Sequence, residues 1–454
     1  MSNTHSLPRP SPGQRWLALI LVSLAMFGNY YIYDSLGPVQ RSMMEVLGFD
    51  DAQFGMFFTA YSVAAVLVLL FGGYLIDRFG TRNTIVVFAL ICLVAAAMTA
   101  FSGNYYTILS GRFLLGLGAE PLIVAATTVL AKWFKGRELS LAFGLNLSIA
   151  RLGSMSTDLS TGFAAPLYAN NNWQDPLWLA TAVASISVSA ALLYWLQEKR
   201  LETRVNLGNA DAVDKIDFKH LFVFSRSFWY IVGLCVVFYA TVFPFRAFAI
   251  NYFQQAHGLS LQAAGQLNSL LPLAAIIATP LFGLWVDKAG KRSLFMAVGS
   301  LIMLPLFLAV TYLPPGVPVS IPFTHVELPL TLLLVMLLLG GVFSLIPAVM
   351  WPSVAYIVNS NRLGSAYALM TFCQQLGVAA VPLVIGSLNV LFSASEANPA
   401  GYVGGMWFYT LLAAFGLMFS FLLWRTERGP HAHGLDYPGG SKPEATAEGE
   451  TRMP

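Results

Sequence analysis

Residues 73–82 read GYLIDRFGTR, and residues 283–292, 210 positions later, read GLWVDKAGKR. Each stretch follows a long apolar run, and the two share glycines, an aspartate and cations at equivalent positions. Such internal repetition predicts two copies of one structural unit. The glycines permit tight turns, and the cations suit the carbonyl end of a helix or anionic lipid.

The runs around these stretches have the length of membrane spans. Of the 454 residues, 57% are hydrophobic and 10% are charged, against about 45–50% and about 25% for an ordinary soluble domain. Charge is missing from 83–111, 293–326, 328–361 and 397–424, and about 20 apolar residues cross a bilayer as a helix. An ordinary soluble protein is excluded. So is a nucleic-acid-binding protein, because no basic stripe lies on a soluble face.

Twelve membrane spans in two groups of six are predicted from the apolar runs. They cover 16–36, 53–76, 82–102, 105–133, 137–163 and 176–197, and then 226–252, 262–286, 292–313, 329–358, 363–392 and 402–425. The predicted organisation is a cytoplasmic tail (1–15), a six-helix bundle (16–197), a charged cytoplasmic linker (198–225), a second six-helix bundle (226–425) and a disordered cytoplasmic tail (426–454). The last segment is rich in Gly, Pro, Glu and His and lacks apolar periodicity.

The distribution of Lys and Arg predicts the orientation. With the N-terminus inside, the inner loops and tails collect nearly all loop cations, and the outer loops keep Arg41. Because cations favour the cytoplasmic side, both termini are predicted to be cytoplasmic. The expected location is a prokaryotic inner (plasma) membrane.

The repeated stretch resembles the signature loop of the major facilitator superfamily, Gly-x-x-x-Asp-Arg-x-Gly-x-Arg, between helices 2 and 3. The resemblance implies an all-α membrane protein with 12 transmembrane helices, arranged as two six-helix bundles that rock about a central site. It also implies that the loops contribute to gating. The candidate gating residues are Asp77, Arg78, Arg82, Asp287, Lys288 and Arg292.

Two charges near the middle of predicted spans are the main candidates for a binding site. Glu120 lies near the midpoint of the fourth span and Arg151 near the midpoint of the fifth. A charge at the bilayer centre costs about 2.5–3.5 kcal/mol on insertion scales, so such residues are usually functional. Antiparallel neighbours pack with axes about 8–10 Å apart. We expect Glu120 and Arg151 to pair when the site is empty; a purely structural ion pair is the alternative.

Other polar and aromatic residues in the spans are further candidates for substrate binding. Arg246 can face a cavity or reach the outer interface, whereas Arg112 is expected at the outer interface, and Asp34 and Asp158 near the mouth. The remaining candidates are Tyr30, Asn146, Tyr239, Asn268 and Gln374.

Three stretches resemble one branch of the superfamily, the lysosomal dipeptide uniporters and their prokaryotic relatives. They are GRFLLGLGAE (111–120), WFKGREL (133–139) and FGLNLSIARLGS (143–154). The resemblance implies that Glu120 binds the amine of a dipeptide and Arg151 its carboxylate. Asn146 replaces a glutamine of that branch. A dipeptide spans roughly 7 Å at about 3.3–3.6 Å per residue, which suits two side chains that face each other without touching.

The coupling mode and the rival functions follow from what the sequence lacks. The first span has no Glu-x-x-Glu-[Lys/Arg] run of the kind found in proton-coupled peptide transporters, which favours a uniporter with alternating access. The alternative is a proton-coupled carrier of organic anions or other nutrients, with Arg151 and Arg246 as an anion clamp and Glu120 as proton carrier. The sequence contains no His/Cys cluster, nucleophile elbow or phosphate loop. We therefore predict no enzyme activity, no cofactor, no metal, no nucleic acid and no obligatory protein partner; the expected partners are a small-molecule substrate and the lipid bilayer.

Overall fold

The structure is a computed structural model that describes residues 10–134, 138–205, 224–321, 326–359, 362–430 and 432–437. Within these ranges it does not describe the side chains at 70–77 and at 140.

The described chain is almost entirely helical and contains two sets of six long helices. The first set is α1 (Pro12–Asp34), α3 (Asp51–Phe79), α4 (Thr81–Phe101), α5 (Tyr105–Phe134), α6 (Leu139–Phe163) and α7 (Gln174–Leu201), with a short α2 (Gln40–Leu47) after α1. The second set is α8 (Arg226–His257), α9 (Leu261–Ala289), α10 (Arg292–Tyr312), α11 (Leu330–Ile357), α12 (Leu363–Leu391) and α13 (Val403–Glu427). A two-stranded hairpin, β1 (Pro318–Ser320) and β2 (Glu327–Pro329), joins α10 to α11. The predicted all-α membrane architecture is confirmed.

Among the described residues, 11 helices are long and apolar enough to cross a membrane. The helix α6 is not one of them, although it has 25 residues and packs with the others. Its hydropathy is lowered most by Asn146, Arg151 and Asp158, and further by its serines and threonines. This helix carries Arg151 and Asp158, two of the charges singled out from the sequence.

Several helices begin at capping residues, and the repeated turns contain glycine. Ser11 and Gln14 form a capping box at α1, and Ser225 and Ser260 cap α8 and α9. In the repeated stretches Gly80 and Gly290 both adopt positive φ, +76° and +64°. An L-residue with a side chain rarely takes that conformation, so the turn favours glycine at these two positions.

The two ends of the molecule differ. We call the end at which α1 begins and α13 ends the termini face, and the opposite end the distal face. One hydrophobic core lies wholly within the first set of helices. The other fills the second set and also includes residues at the distal side of the first half, such as Leu36 after α1, Phe54 on α3 and Ile108 on α5. The two halves therefore share a core at the distal face.

Glycines allow the halves to meet closely at that face. A Cβ at Gly55 on α3 would lie 2.3 Å from the carbonyl oxygen of Pro382 on α12, and one at Gly386 would lie 2.1 Å from that of Asp51. A Cβ at Gly265 on α9 would lie 2.3 Å from Oγ1 of Thr161 on α6. A residue with a side chain does not fit at these three glycines, so the helices of the two halves touch there. The distal face is therefore closed.

The start of the C-terminal tail differs from the sequence prediction of disorder from residue 426. The helix α13 continues to Glu427, and Leu435 is fully buried. The Glu427 carboxylate accepts hydrogen bonds from the backbone N–H groups of residues 433–435. Asp436 accepts from N–H and Oγ of Ser293 at 3.1 and 2.7 Å, which caps α10. Sequence composition does not predict this ordered segment, because single residues stabilise it and no long apolar run does. Much of the predicted linker, 206–223, lies outside the described residues.

Candidate substrate cavity

A cavity of about 1080 Å³ lies between the two halves. Residues of α1, α3, α5 and α6 from the first half and of α8, α9, α11 and α12 from the second line it. Its walls reach the termini face through Leu141 and Gly144 on α6 and Leu284 and Asp287 on α9. Because the distal face is closed, the cavity is open toward the termini face.

Glu120 lines the cavity and is held in place from both halves. Tyr61 Oη on α3 donates to Glu120 Oε1 at 3.1 Å, and Gln375 Nε2 on α12 donates to the same oxygen at 3.0 Å. No described group donates to Oε2. The carboxylate is therefore oriented by two donors on one oxygen, and its second oxygen is free to accept from a ligand.

Arg151 lines the same cavity and is surrounded by aromatic rings. Its guanidinium carbon lies 5.4 Å from the ring centroid of Tyr30, 5.8 Å from that of Phe243 and 5.0 Å from that of Phe343. Its Nη1 is buried without a hydrogen-bond partner, and no described carboxylate lies within 4.0 Å of the side chain. Cation–π contacts stabilise the positive charge, but the aromatic rings supply no lone-pair acceptor for the N–H groups of the guanidinium. A bound anion would satisfy this group.

The expected ion pair between Glu120 and Arg151 is therefore wrong for this state. The two side chains line one cavity but make no salt bridge, because Tyr61 and Gln375 hold Glu120 and aromatic rings surround Arg151. A bilayer-depth argument places both charges at one level, but it does not include competing partners on other helices.

The remaining candidate residues divide into two groups. Tyr30, Tyr239 and Gln374 line the cavity. Tyr239 Oη accepts from Nε1 of the cavity residue Trp351 at 2.9 Å, and Gln374 Oε1 accepts from Cys235 Sγ at 3.7 Å.

Asn146, Arg246 and Asn268 do not line the cavity. Asn146 is buried and accepts from Ser23 on α1 at 3.0 Å. Asn268 is buried and donates to Asp158 at 2.9 Å. Both lie in the first third of their helices, and both face neighbouring helices instead of the cavity.

Comparison with known proteins agrees with this architecture. A family model described as the Major Facilitator Superfamily matches residues 22–382 and again 246–443. The chain belongs to the Major Facilitator Superfamily. It is a membrane transporter and not an enzyme, since its family and its relatives are transporters.

Several relatives and a solved structure resemble this facilitator over most of its length. The lysosomal dipeptide transporter MFSD1 of Danio rerio is 32% identical over 391 residues, covering 82% of this chain and 80% of the relative. The human protein of that name is 31% identical over 387 residues with the same coverage. A crystal structure of a bacterial homolog to the human lysosomal transporter Spinster covers 92% of this chain and 98% of its own, with a TM-score of 0.73 and 17% identity. At that identity it shows the fold alone.

Arg246 of this facilitator is part of a buried charge cluster at the distal side. Its Nη1 donates to Asp34 at 3.1 Å and its Nη2 to Asp158 at 2.8 Å. The three side chains are 4%, 10% and 2% exposed. Asp34 and Asp158 belong to the first half and Arg246 to the second, so the cluster joins the halves. We call these residues, together with Asn268, the distal latch.

Arg112 also differs from expectation. It was expected to reach the outer interface, but it is 1% exposed and donates to the carbonyl oxygens of Ile32 and Tyr33 at 3.2 and 3.0 Å. These carbonyls are at the end of α1, where a cation is favourable; the Ile32 carbonyl also accepts from the N–H and hydroxyl of Ser35.

The signature loops of this facilitator hold their cations within each half. Arg82 forms an ion pair with Glu202, while Arg292 donates to Asp287 at 2.8 Å and to Tyr356 at 3.1 Å. Arg78 contacts the ring of Phe79, and Lys288 is exposed. The side chain of Asp77 lies outside the described residues, and the gating role of all six residues stays a prediction.

Sequence reasoning missed Tyr61 and Gln375, which contact Glu120. Gln375 is adjacent to the candidate Gln374, and one residue along a helix turns the side chain by about 100°. The rotation of α12 was not evident from a run that is apolar on all sides. Tyr61 carries no signal in the sequence, because aromatic residues are common in membrane helices.

Proposed function

We propose that this facilitator transports dipeptides by alternating access as a uniporter, with Glu120 binding the substrate amine and Arg151 its carboxylate. One observation carries the proposal: the cavity contains an oriented carboxylate with a free oxygen and a guanidinium without a carboxylate partner. A zwitterion placed between them would satisfy both groups. Leaving charges unpaired in a low-dielectric site is costly, so a ligand that pairs both at once is favoured.

The length of the ligand follows from the separation of the two groups. Because they make no salt bridge across the cavity, the ligand has to bridge a gap, and a dipeptide spans roughly 7 Å between its charged ends. A free amino acid is shorter. The relatives named as dipeptide transporters support the same substrate class.

The alternative of a proton-coupled anion carrier lacks its second cation. Arg246 is already paired with Asp34 and Asp158 and does not line the cavity. An anion clamp made of Arg151 and Arg246 would require Arg246 to leave Asp34 and Asp158 and to turn into the cavity.

We further propose that the termini face is cytoplasmic and that the membrane is a prokaryotic plasma membrane. The cations Arg15, Lys132, Lys199, Lys288 and Arg425 lie at helix ends of the termini face, and Arg41 lies at the distal face. Cations favour the cytoplasmic side. The cavity then opens to the cytoplasm, and the six signature-loop residues would set the balance between inward-open and outward-open states.

The test combines binding with transport. Purified protein is screened for thermal stabilisation by alanyl-alanine, since a specific ligand raises the melting temperature by mass action. Glu120→Gln and Arg151→Gln should each abolish stabilisation, because truncating one member of a buried charge pair typically costs about 2–5 kcal/mol. Thr371→Val, in the same cavity, should leave binding unchanged, because its hydroxyl donates to the carbonyl of Tyr367 within its own helix.

Transport is measured as counterflow of labelled alanyl-alanine in liposomes with equal pH on both sides. A uniporter exchanges substrate under these conditions. If Glu120→Gln retains binding while the natural protein shows no counterflow without a pH gradient, the uniporter proposal is wrong and a proton-carrier role for Glu120 is favoured.

A further inference from the structure

The hydrogen bond from Gln375 to Glu120 crosses the boundary between the two halves. Gln375 is on α12, is 7% exposed and lines the cavity, whereas Glu120 is on α5. The second donor to the same oxygen, Tyr61, is on α3. A residue of the second half thus helps to orient the carboxylate of the first half.

The helices that supply these two donors are fixed against each other nearby. Thr59 Oγ1 on α3 donates to the carbonyl oxygen of Ala379 on α12 at 2.7 Å. Thr59 is two residues before Tyr61, and Ala379 is one helical turn after Gln375. The close approach of Gly55 to Pro382 extends the same contact toward the distal face. The position of the Gln375 amide is therefore set by backbone packing.

This arrangement controls where the Glu120 carboxylate can go. With two donors on Oε1, the carboxylate is kept away from Arg151, although both line one cavity and carry opposite charge. Without the amide, the attraction of Arg151 would meet less resistance, and the gap between the two groups could close.

We infer that Gln375 is a positioning residue that keeps Glu120 apart from Arg151 and thereby makes the site select a dipeptide over a single amino acid. The inference rests on the proposed function. It adds a determinant of substrate length that is separate from the two charged residues themselves.

The experiment compares two adjacent amides. Gln375→Met keeps the shape of the side chain and removes the donor; Gln374→Met is the matched control, because Gln374 lines the cavity and contacts Cys235 instead of Glu120. Binding of alanyl-alanine, alanine and trialanine is measured on the full purified chain. Gln375→Met should weaken alanyl-alanine binding about tenfold, the size expected for one hydrogen bond to a charged group, and should lower the ratio of dipeptide to alanine affinity. Because Gln374 does not contact Glu120, Gln374→Met should change the affinities for alanyl-alanine and alanine by the same factor and so keep their ratio.

A double-mutant cycle separates positioning from folding. Because Glu120→Gln itself abolishes dipeptide binding, the cycle is read as the melting temperature of the ligand-free protein. Gln375→Met should lower it less in a Glu120→Gln background than in the natural protein, whereas a structural role independent of Glu120 would give equal losses in both backgrounds. If Gln375→Met does not fold, Gln375→Asn, whose amide is one carbon shorter, takes its place.

The outcomes distinguish this inference from the proposed function. If the natural protein binds alanyl-alanine through Glu120 but Gln375→Met and Gln375→Asn keep its affinity and its length selectivity, the positioning role is wrong and the function stands. If the natural protein does not bind alanyl-alanine, the proposed function and the inference both fail.

Discussion

Removal of Arg246 should open the distal face of this facilitator. The distal latch places one guanidinium between two buried carboxylates, at 3.1 Å from Asp34 and 2.8 Å from Asp158. Arg246→Met keeps the apolar bulk of the side chain and leaves two carboxylates without a cation. Asn268 still donates to Asp158 at 2.9 Å, but it carries no charge.

The size of the effect follows from the burial of the latch. Removing one partner of a buried ion pair typically costs about 3–5 kcal/mol, because an uncompensated charge stays behind. In a state with an open distal face the carboxylates are hydrated, so the cost falls on the closed state alone. A difference of this size changes the ratio of the two states by a factor of about 10² to 10⁴.

Thiol accessibility measures the shift. Cys92, Cys235 and Cys373 are first replaced by serine. Thr161→Cys then introduces a thiol at the closed contact between α6 and α9, and Ser148→Cys introduces one on the cavity wall. In detergent, Arg246→Met should increase labelling of the first thiol at least tenfold and decrease labelling of the second.

Two controls test whether charge is the cause. Arg41→Ala removes another arginine that joins the halves at the distal face, but its pair with Glu396 is exposed and such pairs contribute about 0–1 kcal/mol. It should change labelling little. Adding Asp34→Asn and Asp158→Asn to Arg246→Met removes the unpaired charges and should restore closure. Unchanged labelling in a folded Arg246→Met protein would refute the latch.

Three further outcomes are expected. N-acetylated or C-amidated alanyl-alanine should need at least a tenfold higher concentration than the free dipeptide to give the same melting-temperature shift, because each cap leaves Glu120 or Arg151 unpaired. Equal shifts at equal concentration would contradict this. Gly265→Leu should increase labelling of the Thr161→Cys thiol, since a Cβ there would lie 2.3 Å from Oγ1 of Thr161; labelling equal to that of the glycine parent would contradict close packing at this contact. Asp436→Ala should lower the unfolding free energy by about 1 kcal/mol, the usual value of a helix cap, which thermal unfolding would measure; no loss would show that the folded-back tail does not stabilise α10.

The sequence predicted the architecture because membrane helices are specified locally. A long charge-free run must form a helix in lipid, where every backbone polar group needs a partner within its own segment. The repeated stretches at 73–82 and 283–292 are likewise recognisable as turns from the sequence alone, since a turn that needs positive φ favours glycine whatever surrounds it. The midpoint charges Glu120 and Arg151 are recognisable for the same reason, because their cost depends on depth in the bilayer.

The sequence by itself therefore determined the helical membrane fold, its two halves and the two charges of the cavity. The tertiary structure decided which partner each polar group has. Arg246 is a candidate ligand by sequence, but packing places it between Asp34 and Asp158. The role of Gln375 follows only from the hydrogen bond between α12 and α5. The physical reason is that hydropathy depends on one segment at a time, whereas hydrogen bonds and ion pairs depend on the rotation and approach of helices that lie 88 to 255 residues apart in the chain.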